Sequence, residues 1–440
     1  MTRALKFLVV LVFAASIITV VVSLAGNADL PVSSGMGLEP VLPEPKGSVI
    51  PLVNIATAVG WRDGETPDAN DRVAVAAFAT GLDHPRWLYV LPNGDVLVAE
   101  TDAPDNRPSG IVSRVERWVM RRAGSRGESA DRISLLRDAD GDGVAELRTV
   151  LLSGLNSPFG MSLVEERLYV ANTDGVVSYP YSPGDTEISA AATPLATLPA
   201  GDTNRHWTKN LIASADGQYL YVSIGSNSDH GEYGMDTEEN RAGISEIDIG
   251  NGKHRQFASG LRNPVGMAFE PSTGVLWTAV NERDDLGGDL VPDYMTSVAD
   301  GGFYGWPYSY YGDNLDPRVE NQRPDLVATA LIPDYALGAH TASLGLTFAA
   351  GTRLGPDFRD GAFVGQHGSW NRKPRSGYKV IFVPFKDGGP AGRPVDILTG
   401  FVDEDGKARG RPVGVAIDSS GALLVADDVG NMIWRVTRAK

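Results

Sequence analysis

The amino-acid sequence predicts an all-β fold, a six-bladed β-propeller that follows an N-terminal signal or anchor segment. One observation is a recurring unit, seen most clearly from Ser259 to Val280, in which a Pro is followed by an apolar run, a turn and a second apolar run. Another is the composition, because 51 Gly and 28 Pro among 440 residues suit many short strands joined by turns. Both observations favour small antiparallel sheets over long helices.

The recurring unit defines the number of blades. Clear copies begin at Gly81, Gly154 and Gly410, and weaker copies begin at His206 and Ser343, which makes six with the copy at Ser259. The spacing of roughly 50 to 75 residues fits a four-stranded blade with insertions. A single blade cannot bury both of its faces, so we expect the blades to stack in a ring. A β-sandwich with long decorations and a seven-bladed ring are the structural alternatives.

The first 26 residues are predicted to be an export signal or a membrane anchor. Arg3 and Lys6 precede a charge-free apolar run from Phe7 to Gly26, which is the order found in export signals. A run of about 20 apolar residues can span a bilayer, whereas the apolar core of a cleaved signal has roughly 7 to 15. Either alternative predicts an exported protein, periplasmic or extracellular, with possible membrane anchoring through residues 7–26.

Two further regions complete the domain organisation. Residues 27–72 are rich in Pro and Gly and are predicted to form an extended tether. Residues 73–440 are predicted to form the propeller, because short apolar runs and turns alternate throughout them.

Charge and composition exclude several functions. A formal net charge of −16 argues against nucleic acid as a partner, since that affinity comes from Lys and Arg neutralising phosphates. Cys is absent, which excludes disulfides, thiolate metal sites and a fused c-type haem. If electrons leave this protein, a separate electron acceptor must take them.

Polar residues in the loops before the innermost strands indicate a site on the propeller axis, where such loops converge. Several Arg side chains aimed at one point repel each other unless an anionic ligand lies between them, and guanidinium groups pair well with carboxylates or phosphates. The sequence therefore predicts an anion-binding pocket on the axis. The residues concerned are His206, Arg262, Asn263, His367, Asn371, Arg372, Arg409 and Arg411.

Five motifs in a fixed order give a more specific interpretation. HWTKN, GLRNPVGMAF, GGFYGWP, GQHGSWNR and GRPVGVAIDSSGALLVADD together resemble the soluble quinoprotein sugar dehydrogenases, particularly the sorbosone or aldose dehydrogenase branch. The resemblance covers nearly all of Val73 to Lys440. It implies a six-bladed propeller that binds pyrroloquinoline quinone (PQQ) with Ca²⁺ and oxidises a sugar, and the three carboxylates of PQQ match the predicted Arg cluster.

The resemblance also implies roles for individual residues. His206 is the expected catalytic base, since an unperturbed imidazole pKa of about 6.5 makes it competent near neutrality. Ca²⁺ acts as a Lewis acid with oxygen ligands, and backbone carbonyls of Asn281, Glu282 and Arg283 are its expected ligands. The expected cofactor-binding residues are Arg262, Asn263, His367, Asn371, Arg372, Arg409, Arg411 and Asp427, the last as a residue that could orient an Arg.

Other interpretations of the sequence stay open. The competing enzyme class is a Ca²⁺-dependent propeller lactonase, and the competing non-enzyme class is an exported propeller that serves as a binding platform. The stretch Asp138 to Gly143 resembles the start of a Ca²⁺ loop, but twelve-residue counting places Thr149 where a Glu belongs, so a hairpin turn and a structural Ca²⁺ site are both possible. Trp306 and Trp370 are predicted to be packing aromatics.

Overall fold

Six antiparallel sheets arranged around an axis form the body of the protein. The computed structural model describes residues 27–47, 53–104, 118–125, 127–201 and 203–440. Each sheet contains a meander of four strands, and the innermost strands of successive sheets contact one another. The predicted six-bladed β-propeller is therefore confirmed.

Each blade has four strands, ordered here from the axis outward. The strands are Pro85–Val90, Val96–Glu100, Arg132–Arg137 and Leu147–Leu152 in blade one; Met161–Val164, Arg167–Asn172, Gly175–Pro180 and Thr193–Thr197 in blade two; Leu211–Ala213, Tyr219–Ile224, Gly243–Asp248 and His254–Ser259 in blade three; Pro264–Phe269, Leu276–Val280, Pro292–Ser297 and Tyr335–Ala339 in blade four; Ser343–Phe348, Gly361–Gln366, Lys379–Lys386 and Val395–Thr399 in blade five; and Pro412–Ile417, Leu423–Asp427, Met432–Arg438 and Val73–Thr80 in blade six.

Blade six closes the ring. Its outermost strand, Val73–Thr80, comes from the start of the domain and pairs antiparallel with Met432–Arg438 near the C-terminus. Smaller elements decorate the ring. They are the strands Met36–Gly37, Asp68–Ala69, Ser309–Tyr310, Asn314–Leu315 and Gly389–Pro390, the short helix Pro324–Val327, and the 3₁₀ turns Val32–Gly35, Met235–Glu238 and Pro356–Phe358.

The Gly of the recurring unit allows neighbouring blades to approach. A Cβ added at Gly266 would lie 2.6 Å from the main-chain oxygen of Leu344, and one at Gly345 would lie 2.1 Å from that of Val413. Real Cβ atoms do not approach other heavy atoms this closely, so the innermost strands require Gly there. The repeat seen in the sequence is thus the contact between adjacent innermost strands.

The segment predicted to be a tether is extended but packed on the propeller over its described part. Met36–Gly37 adds a strand to blade four and Asp68–Ala69 adds one to blade five. The Ala28 N–H donates to the Lys373 oxygen at 2.8 Å. Pro and Gly content indicates an extended backbone, but it does not show whether that backbone packs against a surface.

The predicted signal or anchor, residues 1–26, lies outside the described residues. Among the helices that the structure describes, none is long and apolar enough to cross a bilayer.

Candidate active site

A cavity of about 110 Å³ lies at the end of the propeller where the loops lead into the innermost strands. Its lining consists of His206, Arg262, Asn281, Asp284, His340, Ala342, Trp370 and Asn371. Four predicted site residues, His206, Arg262, Asn281 and Asn371, therefore meet at one place. A larger cavity of about 520 Å³ between the hairpins of blades four and five is at the opposite end and contains none of the predicted residues.

One ring nitrogen of His206 forms a hydrogen bond to the main chain. Its Nδ1 lies 2.6 Å from the main-chain oxygen of Ser226, and a carbonyl only accepts, so Nδ1 carries the proton. In the neutral ring Nε2 then has a free lone pair. Burial, and then the positive charge of Arg262, hold the pKa of His206 well below its usual value, so the imidazole is neutral and can accept a proton.

The main chain at His206 is fixed by two buried basic side chains. Lys209 Nζ donates to the His206 oxygen at 3.2 Å, and Arg241 Nη2 donates to the same oxygen at 3.3 Å. Both side chains are buried. These bonds fix the loop that carries the imidazole.

Arg262 connects the predicted metal loop to the carboxylates of Asp229 and Asp284, the latter 3.6 Å from its Nη2. Its Nη1 donates to the main-chain oxygens of Glu282 at 2.7 Å and Asn281 at 3.2 Å, and its Nη2 donates to Asp229 at 2.8 Å. Two of the carbonyls expected to bind Ca²⁺ therefore already accept from a guanidinium group. Although burial acts to raise the pKa of Asp229, the charges of Arg262 and Arg318 hold it below its usual range.

The side chains of the predicted metal loop are structural. Arg283 is completely buried, and its guanidinium donates to Ser309 O at 2.7 Å and to Asp316 at 3.1 Å. Glu282 accepts from the Arg283 Nε at 3.0 Å. These contacts fix the loop against the insertion that follows the third strand of blade four.

Asp284 organises the opposite wall of the cavity. Asn371 Nδ2 donates to Asp284 Oδ1 at 2.8 Å, and His340 Nδ1 lies 3.4 Å from the same oxygen. Burial opposes protonation of His340, but the hydrogen bond to Asp284 raises its pKa above the ordinary value. The wall therefore places an imidazole with a raised pKa against a carboxylate.

Three buried side-chain oxygens have no donor in the described part of the chain. They are Oδ1 of Asn263, Asn371 and Asp285, none of which has a hydrogen-bond partner among the described residues. Asn263 is buried, and its main-chain oxygen accepts from Asn281 at 3.0 Å. An unpaired buried oxygen is costly, so these positions suit a bound donor or cation.

A second polar cluster comes from blades one, five and six. His367 Nε2 donates to Asp428 at 2.8 Å, and Arg86 Nη1 donates to the same oxygen at 2.5 Å. Burial lowers the pKa of His367 to about 4, despite the nearby carboxylate. Arg411 lies 5.3 Å from the Tyr378 ring centroid, and within the described chain it has no carboxylate at ion-pair distance. Its guanidinium packs on that ring and donates to the Tyr378 hydroxyl at 3.3 Å.

Two predicted cofactor-binding residues have other partners. Arg409 Nε lies 3.9 Å from the Glu65 carboxylate. Arg372 donates to the main-chain oxygens of Gly288 and Leu30, each at 2.8 Å. The directions of these two side chains depend on neighbours from distant parts of the chain.

Asp427 accepts hydrogen bonds that stabilise the fold. Its Oδ1 accepts the Arg411 main-chain N–H at 2.8 Å, and its Oδ2 accepts from the indoles of Trp61 and Trp434. It therefore orients the Arg411 backbone and not the guanidinium. Burial raises the pKa of Asp427 to about 6.

Sequence reasoning missed Arg86, Asp229, Asp284, His340 and Asp428. Arg86 had a detectable signal, since it follows the repeat Pro at a position where other copies have Phe or Val. The others lie in irregular loops without metal-ligand spacing. An alignment of the repeats alone does not distinguish them from solvated residues.

The two tryptophans have different surroundings. Trp306 is buried and its Nε1 donates to the Asp229 oxygen at 2.8 Å, as a packing residue does. Trp370 was expected to be similar, but it lines the cavity and is 38% exposed. It lies at the mouth because its loop projects from the end of blade five.

The acidic stretch in blade one forms a hairpin at the opposite end of the propeller. Asp138, Asp140, Asp142 and Glu146 place carboxylate oxygens within 4.8 Å of one another. Glu146, and not Thr149, completes the group. The segment therefore forms a hairpin turn and also groups four acidic side chains.

Comparisons with known proteins agree with this architecture. A family model described as TrAA12-like matches residues 127–296 and 322–439. A PQQ-dependent pyranose dehydrogenase of Coprinopsis cinerea is 27% identical over 264 residues, which cover 50% of this chain and 35% of that protein. An uncharacterized protein of Borreliella burgdorferi is 28% identical over 295 residues, or 64% of this chain and 76% of that protein.

A solved structure extends the similarity to nearly the whole propeller. The holo form of the PQQ domain of the Coprinopsis cinerea pyranose dehydrogenase matches with a TM-score of 0.68 at 20% identity, covering 88% of this chain and 100% of that one. At this identity the match shows a shared fold.

Proposed function

Since the chain belongs to the TrAA12-like family, we propose that it is an exported oxidoreductase that oxidises an aldose or related sugar, with PQQ as cofactor and Ca²⁺ as an assisting ion. The main support is the cavity on the axis, where the neutral imidazole of His206 lies beside the buried guanidinium of Arg262. A base and a cation at one pocket suit proton removal from a substrate next to an anionic cofactor.

The side chains fit a cofactor with several carboxylates. The Nε atoms of Arg86, Arg262 and Arg411 are buried and have no hydrogen-bond partner in the described chain. Guanidinium N–H groups pair strongly with carboxylates. These three residues would hold the carboxylates of PQQ, and Arg411 is the strongest candidate because, among the described residues, it forms no ion pair with an acidic side chain.

Oxygen atoms that fit Ca²⁺ are also present. The unpartnered Oδ1 atoms of Asn263, Asn371 and Asp285 are the hard oxygen donors that Ca²⁺ prefers. The carbonyls of Asn281 and Glu282 are less suitable, because Arg262 already donates to both. The side-chain oxygens are therefore the preferred ligands.

The chain's own residues account for the proton transfer. When bound, PQQ supplies the electron sink that accepts a hydride from the sugar carbon. His206 Nε2 takes the hydroxyl proton of the same carbon, since Nδ1 is committed to Ser226. The substrate thus loses two electrons and two hydrogens and gains a carbonyl bond. Asp229, whose negative charge favours protonated His206, stabilises the imidazolium that forms.

The proposal is tested by reconstitution. Purified protein is mixed with PQQ and Ca²⁺, and reduction of an artificial dye is followed with a panel of aldoses. Dye reduction that requires both sugar and PQQ is the expected result. Lactone hydrolysis with Ca²⁺ alone would identify a propeller lactonase, and inactivity in both assays would identify a binding platform.

A further inference from the structure

Asn371 has a buried amide oxygen that no other group uses. The residue is 1% exposed and lines the cavity. Its Nδ2 donates to Asp284 Oδ1 at 2.8 Å, and because a carboxylate only accepts, this bond determines which end of the amide faces Asp284. The other end, Oδ1, is buried and has no donor in the described part of the chain. The amide is therefore oriented with its oxygen left for a ligand.

The loop that carries Asn371 is bonded to a segment from the start of the chain. The Asn54 main-chain N–H donates to the Trp370 oxygen at 2.5 Å, and Asn54 Nδ2 donates to the Arg372 oxygen at 2.7 Å. These two carbonyls belong to the residues on either side of Asn371. One distant residue therefore holds the backbone of Asn371 from both sides.

Asn54 is itself fixed by the residues that follow it. The Ala408 N–H donates to the Thr57 oxygen, and the Val59 N–H donates to the Ala408 oxygen, each at 2.8 Å. Ala408 lies in the loop before the innermost strand of blade six. The segment therefore joins loops of blades five and six, so that Asn54 has a fixed position from which to hold the Asn371 loop.

The base of the same loop is closed by its own hydrogen bonds. The Ser369 N–H donates to the Ser376 oxygen at 2.9 Å, and the Ser376 N–H donates to Ser369 Oγ at 3.0 Å. The Tyr378 hydroxyl also donates to the Ser369 oxygen, at 2.8 Å. Removal of the Asn54 side chain is therefore expected to loosen the tip of the loop at Asn371 and to leave its base intact.

We propose that Asn54 is a positioning residue for the cation site and that it acts through Asn371. An amide oxygen is a hard ligand of the kind that Ca²⁺ prefers. Groups that orient metal ligands typically contribute about 10- to 100-fold to metal affinity. The proposal rests on the assignment of Asn371 Oδ1 as a Ca²⁺ ligand within the proposed function, and it is independent of the sugar that is oxidised.

Asn70 is a matched control from the same N-terminal region. Its main-chain N–H donates to the Ile397 oxygen at 2.9 Å, and its Nδ2 donates to the Asp396 oxygen at 3.0 Å. It thus makes the same pair of bonds as Asn54, but to the outermost strand of blade five, and neither partner lines the cavity. Asn70→Ala therefore removes an equivalent hydrogen bond without affecting the Asn371 loop.

Calorimetric titration of Ca²⁺ alone into the full chain tests the role of Asn54. Every protein in the series carries Asp140→Asn and Asp142→Asn, so that the acidic hairpin at the opposite end does not contribute. Each new Asn keeps an Oδ1 that can accept the main-chain N–H bonded there. This reference protein is compared with Asn54→Ala, Asn371→Ala, the double variant of both positions, and Asn70→Ala.

Asn54→Ala is expected to weaken Ca²⁺ binding by about 10-fold, and Asn70→Ala is expected to leave it unchanged. Because Asn54 acts through Asn371, its substitution should cause no further loss in the Asn371→Ala background. Unaltered binding in Asn54→Ala would overturn the proposal. An equal loss in Asn70→Ala, a full additional loss in the double variant, or a reference protein that binds no Ca²⁺ would overturn it as well.

These outcomes are distinct from failure of the proposed function. A protein that reduces dye with PQQ and an aldose, but whose Ca²⁺ affinity is unchanged in Asn54→Ala, would lose only the positioning role. A protein that shows the expected affinities, but reduces no dye with any aldose, would keep the positioning role and lose the proposed sugar oxidation.

Discussion

The Nδ1–H of His206 donates to the main-chain oxygen of Ser226 across 2.6 Å. This bond leaves Nε2 as the basic nitrogen of the neutral ring. The loop is held by Lys209 and Arg241 through the His206 oxygen, so the tautomer and the position of the base are both fixed before a substrate binds.

Replacement of His206 by Ala is expected to lower kcat by about 10²- to 10⁴-fold, the range for loss of a general base. PQQ binding should remain close to wild type, because the carboxylates are held by arginines. Steady-state kinetics and a binding titration measure the two effects. His254→Ala, on an exposed strand position in blade three, is the control, and equal activity of both variants would remove His206 as the base.

The pH dependence of kcat/KM follows from the lowered pKa of His206. A base is active when neutral, and burial with Arg262 favours the neutral form. The acidic limb of the profile should therefore lie below pH 6.5, the usual range for His. A limb above pH 6.5 that disappears in His206→Ala would contradict the burial and charge argument.

Arg411→Met is expected to weaken PQQ binding by about 10- to 100-fold, which corresponds to losing a charge-assisted hydrogen bond of roughly 1.5 to 3 kcal/mol. Arg409→Met is the matched control, since Arg409 lies near Glu65 and not in the Arg411 cluster. Absorbance titration measures both dissociation constants. The same loss in both variants would show that both arginines bind PQQ, as the resemblance implies.

The stability of the protein at acidic pH should depend on His367. Its pKa of about 4 lies below the ordinary value, so between pH 6.5 and 4 the unfolded state binds the proton more tightly and stability falls as pH falls. The contribution approaches about 1.4 kcal/mol per pH unit. Denaturant unfolding of wild type and His367→Gln should show a smaller acid destabilisation in the variant, and parallel curves would contradict it.

Gly345→Ala should reduce the free energy of unfolding by about 1 to 3 kcal/mol, the usual cost of overpacking. The added Cβ would meet the Val413 oxygen at 2.1 Å, whereas a Cβ at Gly389 meets nothing within 4 Å. Gly389→Ala is therefore the control, with little expected change. Urea unfolding measures both, and an unaffected Gly345→Ala would show that the blades can separate.

The sequence predicted the ring because its repeat encodes a contact that each blade makes in the same way. Gly266 and Gly345 repeat since every innermost strand approaches the next one. It also predicted that His206 and Arg262 meet, because both precede an innermost strand. It did not predict that Arg409 lies 3.9 Å from the Glu65 carboxylate, because these two residues are far apart in the chain.

Acidic groups of the cavity were the hardest to predict. Asp229 and Asp284 lie in long irregular loops, and only the fold brings both of them to Arg262. His340 has a partner in Asp284 that no local spacing indicates. Buried charge pairs of this kind are formed by tertiary structure, so sequence periodicity does not reveal them.

The central claim is that this chain oxidises sugars by passing hydride to bound PQQ while His206 takes the proton. The most direct test is a single turnover, in which the absorbance of PQQ bound to the protein is followed without oxygen after an aldose is added. Rapid bleaching of the quinone in wild type and slow bleaching in His206→Ala is the predicted result. A stable quinone spectrum in the wild-type protein with every aldose, despite saturated PQQ binding, would contradict the account.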